Sequence, residues 1–178
     1  QGLADMGRVL ASAGFDVIKD DHGLADQPWS EWADRVRTVG PAIRDAAQES
    51  GHRGVYMPSL NVPVDRLLES AHFAKEHGAG ALLVLPGVTG FDSMRMLADD
   101  DDLGLPIMSH PSFLGSLLVS PHQGIDHGIV LGTLMRLAGA DFSVFPNKGG
   151  RFSFSAEECL DIKDRSLAPL GDLAPILP

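Results

Sequence analysis

The chain has 178 residues, 44% hydrophobic and 21% charged, with a mean hydropathy of +0.04. This composition fits a soluble globular domain and excludes a disordered tail, a collagen and, for want of a run of about 18 apolar residues, a membrane span. Twenty-four acidic against fourteen basic residues give a net charge of −10 and a pI near 4.9, a surface that repels phosphate backbones and argues against a nucleic-acid partner while leaving room for an anionic metabolite in a local basic pocket.

Twelve prolines and twenty glycines punctuate short, regular segments. Leu3 to Ala13 reads as a helix with Leu3, Met6, Val9, Leu10 and Ala13 on one side, stopped by Gly14. Phe15 to Ile18 is a short strand. Pro28 to Ser50 is an amphipathic helix with Trp32, Val36, Val39 and Ile43 on one stripe, and Pro41 inside it as a point of kinking or splitting. Val55 to Leu60 reads as a strand, Pro63 to Glu76 as a helix with proline in its first turn, and Ala81 to Leu85 as an almost wholly apolar strand. Helices follow over Phe91 to Ala98 and Ile125 to Leu137, with strands over Leu105 to Ser109 and Asp141 to Phe145. Ser155 opens the last helix, and Glu158 three residues on completes a capping-box pattern. Ile176 begins another strand.

The order is one helix, then strand–helix repeated, then a strand start. Short apolar strands in strict alternation with helices imply a parallel sheet buried on both faces. A doubly wound sheet and a (β/α)8 barrel both fit; a spacing of roughly 30 residues per unit favours the barrel, of which the chain covers about five and a half units. Gln1 is not an initiator Met and Ile176-Leu177-Pro178 reads as the opening of a buried strand. The expectation is therefore one partial barrel domain over residues 1–178, with open strand edges and little stability alone. The single cysteine, Cys159, excludes an internal disulfide and fits a reducing compartment. It lies inside a helix and reads as a buried structural thiol.

Chemistry in parallel α/β folds gathers at the C-terminal ends of strands. The first strand ends in Lys19-Asp20-Asp21-His22, a lysine, two carboxylates and an imidazole. Such a group is costly beside a buried strand unless it pairs internally or binds a cation; an ion pair with an N-cap is the structural alternative. Asn61, after the second strand, is either a donor to a substrate oxygen or a turn residue before Pro63. Pro86-Gly87-Val88-Thr89-Gly90 reads as an ordinary loop. His110, after the fourth strand, is the histidine best placed for function, against the alternative of a histidine satisfied by a backbone carbonyl. His72, His77 and His127 fall on helices or their ends and read as structural. Pro146-Asn147-Lys148-Gly149-Gly150-Arg151 sets two cations beside two glycines, a loop suited to closing over an anionic group. Asp99 to Asp102 precedes a strand, lacks EF-hand spacing and reads as solvated acid.

Together these strand ends resemble one family. Gly14-Phe15-Asp16-Val17-Ile18-Lys19-Asp20-Asp21-His22 looks like the metal-binding segment of the RuBisCO large subunit, G-x-D-x-x-K-D-D-E. Leu137-Ala138-Gly139-Ala140-Asp141 resembles the segment before that family's sixth barrel strand. Ile107-Met108-Ser109-His110-Pro111 and Phe145-Pro146 with its glycine loop are similar to the RuBisCO-like, form IV branch. The resemblance implies a (β/α)8 TIM barrel, α/β in class, running here from helix 1 through the start of strand 7. It implies that Lys19 is the lysine carbamylated by CO2, that Lys19, Asp21 and His22 stand where Mg²⁺ is bound, and that His110 lies beside the substrate. It places Arg151 at the mobile catalytic lysine, with Lys148, Gly149 and Gly150 in the same substrate-binding loop. It further implies a cytoplasmic homodimer or higher homo-oligomer acting on a phosphorylated small molecule.

The departures carry as much information. His22 replaces a glutamate ligand, and magnesium prefers hard oxygen donors. Pro111 replaces a phosphate-binding arginine, Leu114 a second histidine, and Arg151 the carboxylase lysine, for which a planar guanidinium is no conservative substitute. CO2 fixation on ribulose bisphosphate is thereby disfavoured. What the branch shares is formation of a metal-stabilised enediolate. The K-D-D-H segment is similar to that of members processing 3-oxo-isoapionate 4-phosphate by decarboxylation or carboxyl transfer to water, which is the first expectation. The alternatives are the 2,3-diketo-5-methylthiopentyl-1-phosphate enolase of methionine salvage and a barrel that binds a phosphorylated ligand without turnover.

Overall fold

A computed structural model describes residues 2–118, 120, 122, 124–152 and 154–178. They fall into two compact units, one reaching to Leu83 and including Asp102–Leu105, the other comprising Val84–Asp101 and Pro106–Pro178.

In the first unit α1 (Gly2–Ser12) is followed by β1 (Val17–Lys19), α2 (Trp32–Ser50), β2 (Val55–Met57), a 3-10 turn (Val64–Arg66) leading into α3 (Leu67–Glu76), and the first two residues of β3 (Leu82–Val84). The stripe expected on α2 is its buried face: Trp32, Val36, Val39 and Ile43 are all in the core. Burying each such side chain stabilises the fold by about 1.5–3 kcal/mol. Pro41 does not split the helix, which runs unbroken to Ser50. Beside it Gly40 admits the carbonyl of His77, which a Cβ would meet at 2.2 Å. The helix begins at Trp32 rather than at Pro28 because side chains hold residues 24–31 in a loop. Arg35 donates to the carbonyls of Leu24, Ala25 and Ser30, and the Asp26 carboxylate accepts from the Trp32 amide at 2.8 Å.

β1 and β2 pair in parallel, Val17 with Val55, Ile18 with Tyr56 and Lys19 with Met57. Parallel bridges carry the pairing on from Tyr56 to Ala79 and from Ser59 to Leu83. Tyr56, Met57, Leu82 and Leu83 are fully buried. β1 departs from the expectation of two covered faces: Val17 and Lys19 are exposed and Ile18 is half-buried. Among the described residues it has a strand partner on the β2 side alone.

The second unit holds Val84, α4 (Pro86–Thr89), α5 (Phe91–Ala98), β4 (Ile107–Ser109), α6 (Gly115–Leu118), a π segment (Ile129–Leu134) continued by α7 (Met135–Leu137), β5 (Phe142–Ser143) and α8 (Ala156–Leu167). β4 and β5 are parallel, Met108 opposite Phe142 and Ser109 opposite Ser143. Asp141 fixes this register: its amide donates to the Ile107 carbonyl, and its carboxylate accepts from the Ile107 amide at 2.8 Å. Leu177 pairs in parallel with Phe142, so the strand start read at Ile176 is present.

Two short helices, α4 and α6, occupy stretches the sequence leaves as loops. The helix expected over Ile125 to Leu137 is largely a π segment. Glycines just before it and within it admit α8 closely: a Cβ on Gly128 would meet the Asp161 carboxylate, and one on Gly132 would lie 3.1 Å from the Ile162 carbonyl. The capping box at α8 is formed, with the Glu158 amide donating to Ser155 Oγ at 3.1 Å and the Ser155 amide to Glu158 Oε2 at 2.7 Å. Ser155→Ala is expected to cost about 1 kcal/mol, read as a lower denaturation midpoint at unchanged m-value. The far end of α8 is closed by the buried guanidinium of Arg136, which donates to the carbonyls of Arg165, Ala168, Leu173 and Ala174. No capping motif in the sequence announces this.

Candidate functional site

The end of β1 separates the four residues of the Lys19–His22 segment by direction. Side chains alternate across a strand, and Asp20 turns inward while its neighbours turn out. Lys19 is exposed, and its Nζ donates to the Asp20 carbonyl at 3.1 Å. Asp21 is exposed; its Oδ1 accepts from the Gly23 amide at 2.8 Å and its Oδ2 lies 3.8 Å from His22 Nδ1. Asp20 is buried. Its Oδ2 accepts from Arg35 Nε at 2.9 Å and from the Ser59 amide at 3.3 Å, and its Oδ1 accepts from the Tyr56 hydroxyl at 2.9 Å. Burial first, and the Asp20 carboxylate second, raise the Tyr56 pKa far above that of a free phenol, so the hydroxyl remains a donor.

The two carboxylates read together in the sequence are thus one outward and one structural. The structural alternative is realised for Asp20 alone, as an ion pair with Arg35. Neither aspartate caps a helix: α2 has no side-chain cap at Glu31. Arg35 and Tyr56 escaped the sequence reading. The available signal was a cation on the buried stripe of α2, three residues after Trp32 and one before Val36.

The donor set at this strand end is poorly matched to magnesium. Lys19 as an ammonium repels a cation, His22 offers nitrogen, and Asp21 is the single outward carboxylate. Among the described residues, no three acidic, histidine or cysteine side chains converge as a metal site. As they stand, Lys19, Asp21 and His22 do not fit Mg²⁺, which demands near-octahedral oxygen coordination.

Asn61, half-buried, follows Leu60, whose amide donates to the Leu83 carbonyl. In the second unit the His110 amide donates to the Val84 carbonyl, and His110 Nδ1 lies 2.8 Å from Ser112 Oγ and accepts from the Ser112 amide at 3.2 Å. Phe113 follows with φ of 69° and is 80% exposed, a left-handed conformation that costs a bulky residue on the order of 1–2 kcal/mol. Leu114, which stands in place of a second histidine, is buried in the core.

The glycine loop turns at Asn147, whose carbonyl accepts from the Gly150 amide, with Gly149 at φ of 71°. Lys148 and Arg151 are exposed, and the Arg151 guanidinium lies 5.5 Å from the Phe152 ring centre. Cys159, half-buried rather than fully buried, donates from Sγ to the Pro146 carbonyl at the loop's base. His77 is structural, stacked on Phe73, and His127 packs edge-on to Phe154 beside Glu158.

In the acidic run, Arg95 pairs with Asp99 at 2.8 Å and holds its carboxyl below the usual range, while Lys75 donates to the Asp102 carbonyl. Asp101 is exposed. Asp101→Ala is expected to leave turnover unchanged and stability within about 0.5 kcal/mol; a large loss in either assay would assign the run a function.

Residues 2–145 match the family described as ribulose bisphosphate carboxylase large chain, catalytic domain. The chain is 34% identical to ribulose bisphosphate carboxylase-like protein 1 of Rhodopseudomonas palustris, over 100% of this chain and 46% of that one. It is 38% identical to a 2,3-diketo-5-methylthiopentyl-1-phosphate enolase of Bacillus pumilus, over 90% of this chain and 39% of that one. A solved rubisco-like protein (MtnW) from Alicyclobacillus acidocaldarius superposes with a TM-score of 0.90 at 38% identity, over 99% of this chain and 44% of that one. The chain therefore spans less than half the length of these relatives. Their likeness also settles the architecture as part of a (β/α)8 barrel. No helix among the described residues is long and apolar enough to cross a membrane.

Proposed function

Because this chain belongs to the RuBisCO large-chain catalytic-domain family, among its RuBisCO-like members, we propose that it enolises a phosphorylated diketone or keto-sugar: a proton leaves the carbon beside a carbonyl and an enediolate-type oxyanion is held by the site. The observation that carries this is the 38% identity to a protein named for such an enolase, which favours the enolase over the carboxylated isoapionate-type substrate expected first. The carboxylase reading weakens further because Pro111 and the buried Leu114 supply neither cation nor imidazole.

In this proposal each residue has a role its chemistry permits. Lys19, exposed at the end of β1, carries the essential function there. Asp21 and His22 flank it with oxygen and nitrogen donors. His110 and Asn61 hydrogen-bond substrate oxygens, with Asn61 as a donor. Lys148 and Arg151, set beside the turn at Gly149 and Gly150, receive the phosphate, as paired cations suit an anion. The cofactor belongs to the proposal in altered form. Reaction of Lys19 with CO2 would replace its ammonium by a carbamate, and the resulting oxygen and nitrogen donor set suits a borderline divalent ion better than Mg²⁺. Such an ion would supply charge stabilisation to the enediolate. The working protein is proposed to be a homodimer or larger homo-oligomer in the cytoplasm.

The test is proton exchange. The intact protein, given 2,3-diketo-5-methylthiopentyl 1-phosphate in D2O, is expected to exchange the proton at the carbon beside the carbonyl, followed by NMR. One specific residue favours a second reading: His22, in place of glutamate, keeps decarboxylation in view. CO2 release from a 3-oxo-isoapionate 4-phosphate without exchange on the diketone would establish it. Saturable binding of these phosphates with neither reaction would make the protein a binder.

A further inference from the structure

The turn after β4 holds one histidine nitrogen in a fixed role. A backbone amide can only donate, so the Ser112 N–H directed at His110 Nδ1 at 3.2 Å requires a lone pair on that nitrogen. The Ser112 hydroxyl, 2.8 Å from the same atom, then donates as well. Two donors from one residue converge on Nδ1, which places the proton of the neutral ring on Nε2. One feature elsewhere in the unit and one in the turn itself serve this arrangement. Gly87, in α4, leaves space for the Ser112 carbonyl, which a Cβ would meet at 2.4 Å. Phe113 accepts a positive φ of 69°, unique among the described non-glycine residues. The backbone is thus held in a strained conformation where strain commonly marks a functional constraint.

We infer that Ser112 is a positioning residue that fixes the tautomer in which His110 serves the site, with Nδ1 unprotonated and the ring proton on Nε2. This rests on the proposed substrate-facing role of His110. The sequence alone did not show it, since an imidazole satisfied by a backbone carbonyl would carry its proton on the opposite nitrogen.

Long-range proton–nitrogen correlation of the imidazole in the intact ¹⁵N-labelled protein, at a pH where the ring is neutral, reads the tautomer directly. The wild type is expected to show Nδ1 in the unprotonated range and Nε2 in the protonated range. Ser112→Ala keeps the amide and removes only the hydroxyl, so it should move the two shifts part of the way toward each other, and Ser112→Thr should restore them. Gly87→Ala should act like Ser112→Ala without removing the hydroxyl, because it displaces the Ser112 peptide. A protonated Nδ1 in the wild type, or shifts unmoved in both Ser112→Ala and Gly87→Ala, overturns the assignment. The substrate-facing role is judged separately: His110→Ala with undiminished proton exchange would remove His110 from the site and leave the tautomer result standing.

Discussion

Arg35→Ala should be the most destabilising single change in the first unit, at about 3–5 kcal/mol, the usual consequence of breaking a buried ion pair from one side. The Arg35 and Asp20 side chains are 1% and 7% exposed, and Nε lies 2.9 Å from Oδ2. Removing the guanidinium leaves Asp20 charged and enclosed, with the Tyr56 hydroxyl and the Ser59 amide as its remaining donors. It also strips the carbonyls of Leu24, Ala25 and Ser30 of a common donor, so the loop leading into α2 loses its tie. Equilibrium denaturation of the intact protein measures the cost. The double variant Arg35→Met/Asp20→Leu is expected to recover much of it, since an apolar pair leaves no buried charge behind. A cost below about 1 kcal/mol for Arg35→Ala, the range of exposed pairs, would show that the pair is not held away from solvent.

Lys19→Ala should do the reverse: it should abolish turnover and spare the fold. The side chain is exposed, and its bond is to the carbonyl of the next residue, so stability should change by no more than about 0.5 kcal/mol. Proton exchange on the diketone phosphate should fall by about 10²-fold or more, the scale of a lost acid–base or charge-stabilising group. Lys19→Arg should not rescue it, because a guanidinium stays protonated and forms no carbamate. Unchanged exchange with Lys19→Ala would remove this lysine from the site; a collapse in stability would show that it serves the fold. Neighbouring positions at the end of β1 thus separate into two experiments, Asp20 read by denaturation and Lys19 by exchange.

That separation marks how far the sequence could be read. The alternation of strands and helices follows from local period, and so do the buried stripe of α2 and the capping box at Ser155. These are properties of residues within one or two turns of each other, and the chain carries them wherever it packs. The strand-end positions of Lys19, Asn61, His110 and the Lys148–Arg151 loop are legible for the same reason, because a parallel α/β order fixes which end of each strand bears function. The motifs at those ends were specific enough to place the family.

Tertiary packing decided the rest. Asp20 and Asp21 are chemically identical in the sequence. One is buried and one exposed because side chains alternate across β1, and because a guanidinium from α2 and a phenol from β2 arrive on the inward side. The π segment over Ile129–Leu134 reads as ordinary helix until α8 lies against its glycines. The turn that sets the proton on His110 depends on the absence of a side chain at Gly87, far back along the chain. In each case the deciding partner lies at a distance along the chain or in a backbone angle, and such long-range contacts, unlike periodicity, are not encoded in any short window of residues.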